Sequence, residues 1–104
     1  MNDAALSMLG LARRAHRLSL GFDSVCDSVR NGEAQLVLTA SDLSEGTLKK
    51  LLRCTEGCGI EHLAAPYDAC RLGAAIGRSV RVISVNDSGF ADKIKKLLTG
   101  NGEE

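Results

Sequence analysis

A chain of 104 residues with 44% apolar and 25% charged side chains is long enough to bury one core without disulfide or metal staples. Its 13 basic and 13 acidic residues cancel, so attraction for a nucleic-acid backbone has to come from a local patch. No apolar run approaches the ~18 residues of a membrane span and no charged leader with a cleavage site opens the chain, so neither a membrane nor export is expected.

The first helical pattern covers about Ala4 to Ala15, with Ala4, Ala5, Met8, Leu11, Ala12 and Ala15 on one face and Ser7, Gly10, Arg13 and Arg14 away from it. Leu18-Ser19-Leu20-Gly21 reads as a short extended piece and a turn. A second helix, about Phe22 to Arg30, buries Phe22, Val25, Cys26 and Val29 and stops at Asn31-Gly32, where glycine suits a left-handed cap. Gln35 to Thr39 is almost continuously apolar, as a strand covered on both faces should be. Ser44 or Asp42 caps a third helix that turns Leu48, Leu51, Leu52, Cys54, Thr55 and Cys58 inward and Lys49, Lys50 and Arg53 outward. Ile60 to Ala64 is the next strand. Pro66 opens a short helix ending near Ile76, since its missing N–H is tolerated in a first turn. Arg81 to Val85 is the last strand. Asn86-Asp87-Ser88 caps a final helix with Phe90, Ala91, Ile94, Leu97 and Leu98 inward and Lys93, Lys95 and Lys96 outward, the lysines also favoured by the helix dipole.

Strands separated by helices imply parallel crossovers and a sheet covered on both sides. The expected fold is α/β: a three-layer α-β-α sandwich around a mixed, mostly parallel four-stranded sheet. Residues 1–99 form a single domain on this reading, and 100–104 a frayed tail with nothing to bury.

Little here can carry catalysis. His16 sits beside Arg13, Arg14 and Arg17, and His62 lies in a strand; neither has a nucleophile or carboxylate at persuasive spacing. The segment Gly73 to Gly77 lacks the lysine and hydroxyl of a phosphate-cradling loop. Of the four cysteines only Cys54-x₃-Cys58 is a close pair, short of the two pairs a structural zinc site needs. Cys26, Cys54 and Cys58 fall on apolar helix faces and are expected to be inward, reduced thiols. The expectation is therefore a binding protein, not an enzyme, with no metal and no cofactor. Three basic groups remain as surfaces: Arg13-Arg14-His16-Arg17, Lys49-Lys50-Arg53, and the loop carrying Arg78 and Arg81.

Five segments in order carry a resemblance: Leu9 to Ala15, Gly21 opening the second helix, Leu36 to Ser44, Arg71 to Gly77, and Asp87 to Ala91. Together, from about Leu6 to Leu98, they resemble the kink-turn RNA-binding family of the ribosomal proteins L-seven-Ae and L-thirty-e, and most closely its small bacterial YlxQ-like branch. That resemblance implies a cytoplasmic, ribosome- or translation-associated protein whose partner is structured RNA, with ribosomal or other translation proteins as further partners. The family contacts RNA with the start of its second helix and the loop before its last strand. Carried over, the site is Gly21, Phe22, Asp23, Ser24 and Asp27 with Arg78, Ser79, Val80 and Arg81, and Arg17 at the rim.

The family's helix start has Asn, Glu and Lys where this chain has Asp23, Ser24 and Asp27, and the last exchange replaces a phosphate-attracting charge by a repelling one. Two carboxylates one turn apart on the reading face favour an alternative, a protein-interaction module that kept the fold and lost kink-turn recognition.

Overall fold

The computed structural model describes residues 3–100. It contains α1 (Ala4–Arg14), β1 (Leu18–Leu20), α2 (Phe22–Arg30), β2 (Leu36–Thr39), α3 (Glu45–Thr55), β3 (Glu61–Ala64), α4 (Ala69–Ile76), β4 (Val82–Val85) and α5 (Ser88–Thr99). The alternation read from the sequence holds throughout. Gly100 closes α5 in a left-handed conformation, and the rest of the expected tail, 101–104, lies outside the described residues.

The sheet is mixed, in the order β1-β4-β2-β3. The expectation of mostly parallel pairing needs correction. Only β2 and β3 pair in parallel, whereas β4 runs antiparallel to both β1 and β2. The helical crossovers do point β1, β2 and β3 the same way; β4 then inserts, reversed, between β1 and β2. One consequence positions the site. The ends of β1, β2 and β3 and the start of β4 gather at one end of the sheet, shown by bonds from Gly21 N to Val82 O (2.8 Å), Ala40 N to Arg81 O (2.9 Å) and Ala65 N to Thr39 O (2.8 Å).

Strand alternation divides the core into two layers. Leu36, Leu38, Ile83 and Val85 join Leu9, Leu72 and Ile94 under α1, α4 and α5. Val37 and Val82 face the opposite way, onto Val25, Val29 and Leu51 of α2 and α3. Ser84 is also fully buried, and its hydroxyl donates to Asn86 Oδ1 (2.9 Å). Asn86 Nδ2 in turn donates to Ser19 Oγ (2.9 Å), which is hydrogen-bonded to Ser28 Oγ of α2.

Several inward assignments fail at helix edges. Leu11, Leu52 and Leu97 are exposed, while Leu9 and Gly10 are buried. The bare Cα of Gly10 explains the rotation of α1: a Cβ there would stand 3.0 Å from the carbonyl oxygen of Ala75, so glycine lets α1 settle on α4. Pro66 does not open α4; Asp68 caps it, accepting from Arg71 N at 2.8 Å.

The cysteine expectation is overturned. Cys26 and Cys54 form a disulfide between α2 and α3, with Cα atoms 5.9 Å apart, and Cys58 is exposed because α3 ends before it, at Thr55. Cys70 is also exposed. Two thiols, Cys58 and Cys70, should react with a thiol reagent in the native protein, rising to four after reduction and denaturation. Four reactive thiols without reductant would contradict the pairing.

Asp3 caps α1 through Ala5 N and Leu6 N, and also accepts from the Tyr67 hydroxyl at 2.7 and 2.9 Å. That hydroxyl holds the Asp3 carboxyl below its ordinary range against the opposing effect of burial. Burial first, then the Asp3 carboxylate, push Tyr67 up from 10.0 to about 12. A group whose folded value is raised stabilises fully below its unfolded value and loses that contribution as pH rises through the folded one. The melting-temperature advantage of wild type over Tyr67→Phe should therefore be constant at neutral pH and shrink between pH 10.0 and about 12. A difference independent of pH across that window would remove Tyr67 from the balance.

Candidate nucleic-acid interface

The site begins where β1 becomes α2. Side chains cap the other four helices: Asp3, Ser44, Asp68 and Asp87 each accept from first-turn N–H groups. At α2 the cap position is Gly21, which has no side chain to offer. The first-turn N–H groups of a helix have no partner inside it and carry the positive end of its dipole, and those of α2 have no side-chain cap to accept from them. Gly21 holds φ 93° and ψ 159°, an extended left-hand region in which side chains are scarcely tolerated. Both of its backbone groups are engaged, N–H to Val82 O (2.8 Å) and carbonyl from Val25 N (3.0 Å).

The loop before β4 reaches the same place. The Arg78 guanidinium lies 3.9 Å from the position a Cβ on Gly21 would occupy, which brings the two sequence-assigned halves of the site together. Arg78 and Ser79 are exposed. Asp23, Ser24 and Asp27 form the exposed face of α2, and Phe22 is half-buried against the α2–α3 cluster.

Other assigned residues are placed differently. Val80 is buried, 6% exposed, and packs into the core under α4 instead of facing solvent. Arg81 is exposed but paired, its Nε 3.3 Å from Asp42 Oδ2. Asp27 is likewise paired, 3.2 Å from Arg30 Nη1 one turn on. Arg17 is not at the rim. Its carbonyl accepts from Asn86 N, beyond the far end of β4, so a strand about 13 Å long at ~3.3 Å per residue separates it from the start of β4. The reason is simple: β1 runs away from Arg17 and delivers only its other end, Gly21, to the site.

Sequence reasoning missed Asp42 in this role. Besides pairing with Arg81, its Oδ1 accepts from Ala69 N at 3.1 Å, tying the end of β2 and the start of β4 to the start of α4. Nothing in residue spacing could have shown this, because the partners are 27 and 39 positions away. The remaining basic groups stay apart from the interface along the chain, with Lys49, Lys50 and Arg53 exposed on α3 and the α1 cluster following Arg13. His62, read from the sequence as a strand residue, is half-buried and bonded through Nε2 to Thr39 Oγ1 at 3.0 Å; burial lowers its pKa. Among the described residues no group of three or more His, Cys, Asp or Glu side chains could hold a metal ion. None of the described helices is long and apolar enough to cross a membrane.

Known proteins are similar to this chain in sequence and fold. A protein of Bacillus subtilis called RNA-binding protein YlxQ is 38% identical over 96 residues, covering 88% of this chain and 91% of its own. The solved structure of a Bacillus halodurans protein of unknown function superposes with a TM-score of 0.86 at 38% identity, over 94% of this chain and 99% of that one. The Giardia lamblia 15.5 kD RNA binding protein superposes at 0.72 with 16% identity, over 96% and 89%, a likeness of fold alone. The sequence profile of one family matches residues 3–95, which together with these relatives makes the chain a member of the ribosomal protein L7Ae/L30e/S12e/Gadd45 family.

Proposed function

We propose that this chain is a non-catalytic RNA-binding protein that engages structured, kink-turn-like RNA through the start of α2 and the loop before β4. The observation that carries the reading is the approach of Arg78 to the uncapped, glycine-opened start of α2. Helix-end N–H groups and a guanidinium converging from two segments suit a phosphate of a sharply bent backbone. The name borne by the Bacillus subtilis relative supports RNA as the partner class. The place of action on this reading is the cytoplasm, at the ribosome or with translation proteins.

The test is titration of a labelled kink-turn RNA at several salt concentrations with wild type and Arg78→Ala. Loss of one exposed cation should weaken binding about fivefold and reduce the log-affinity against log-salt slope by about 0.7 to 0.9. The alternative, a protein-interaction module, is favoured by one observation: Asp23 and Asp27 stand exposed on adjacent turns of the same face. If wild type fails to bind the RNA even at low salt, that alternative replaces the first reading.

A further inference from the structure

We infer that Gly73, which lies inside α4 away from the start of α2, is a positioning residue for Arg78; this rests on the RNA-binding reading above. Glycine inside a helix is less favourable than alanine, so its presence there needs a reason of close approach. The reason is the loop. A Cβ on Gly73 would stand 3.0 Å from Ser79 Cα, 3.1 Å from Ser79 N and 3.3 Å from Arg78 C. All three are backbone atoms, so no side-chain rotation relieves the contact.

The path of the loop leaves little slack. Gly77 reverses the chain in a left-handed conformation, its N–H donating to Gly73 O at 2.8 Å. The chain then runs back along α4, where Ser79 Oγ donates to Ala69 O at 3.4 Å. Buried Val80 and the bond from Ala40 N to Arg81 O (2.9 Å) fix the far side. Arg78 and Ser79 are the span between these anchors. A methyl on Gly73 pushes that span off α4, and the segment displaced is the one that aims the Arg78 guanidinium at Gly21. Gly10 does matching work on another side of α4, since its bare Cα seats α1 on Ala75 of the same helix.

The experiment is a double-mutant cycle with wild type, Gly73→Ala, Arg78→Ala and the double variant, titrated with a labelled kink-turn RNA across a salt series, with thermal melts alongside. Gly73→Ala should weaken binding about threefold and flatten the salt slope in the same direction as Arg78→Ala. In the Arg78→Ala background it should have no further effect on either quantity, because the group it positions is gone. A purely structural role would move the melting temperature and leave the salt slope intact. Ser79→Gly provides a second variant that adds no bulk: it releases the loop from Ala69 and should flatten the slope only when Arg78 is present. If Arg78→Ala weakens binding while Gly73→Ala and Ser79→Gly act independently of it, the positioning role is wrong and the RNA-binding reading stands. If Arg78→Ala changes neither affinity nor slope, the RNA-binding reading falls and takes this inference with it.

Discussion

Gly21→Ala should lower the stability of the protein by about 1–3 kcal/mol, a fall in melting temperature on the order of 10 °C for a domain of this size. The cause is conformational. At φ 93° and ψ 159° the residue occupies a region that is essentially restricted to glycine. The backbone cannot relax away from it, because its N–H is bonded to Val82 O and its carbonyl to Val25 N. Steric overlap contributes nothing, since the nearest atom to an added Cβ is Arg78 Nη2 at 3.9 Å. Gly32→Ala supplies the comparison: Gly32 has φ 76° and open space around its Cα, so it faces a milder left-handed cost at a site remote from Arg78. Thermal melts of the two variants by circular dichroism decide the matter. Equal losses at both glycines would mean that the β1–α2 junction relaxes and is not fixed as described.

Asp27→Lys should tighten binding to a kink-turn RNA about tenfold at low salt while leaving stability nearly unchanged. Asp27 is exposed and its ion pair with Arg30 is a solvent-facing i,i+3 contact, of a kind worth about 0.2–1 kcal/mol at most. The substitution changes the charge of the face by two units and gives the RNA a cation in place of a repelling carboxylate; a charge-assisted contact is worth about 1.5–3 kcal/mol. It also frees Arg30 from its partner, although the introduced ammonium and the Arg30 guanidinium then repel each other weakly. One added phosphate contact steepens the salt slope by about 0.7 to 0.9. Asp23→Asn, one turn earlier, should add to the effect by removing a second carboxylate and supplying an amide donor. Nanomolar binding by wild type at physiological salt, or an unchanged affinity in a folded Asp27→Lys protein, would show that α2 does not present this face to the RNA.

Much of the fold was legible because its signals are local. Nine elements in the right order follow from apolar periodicity and from cap residues such as Ser44 and Asp87, which the structure uses as caps. The direction of β4 was not legible, since its reversed insertion between β1 and β2 depends on the loop after α4 returning the chain to the end of the sheet where β3 finishes, and periodicity is blind to that. The departures at Leu11 and Cys58 have separate causes that an ideal helical wheel does not contain: Gly10 turns α1 by allowing close contact, and α3 stops at Thr55, before Cys58. For the interface, the resemblance supplied the segments and the structure sorts their members. Arg78 and Gly21 meet, Val80 goes inward, and Arg17 is carried to the opposite end of β1.

The chain of polar groups beneath α2 has a consequence for how fast this face can engage a partner. Ser28 of α2 is held through Ser19 and Asn86 to fully buried Ser84. Sliding α2 by even one residue along the sheet would strand these hydroxyl and amide groups without partners, each at a cost of about 1–3 kcal/mol. The helix is thus locked in translation even though its start is bare of any cap. On the proposed RNA-binding reading, docking onto it then needs no sliding of α2, and the association rate should be limited by encounter and by changes in the RNA.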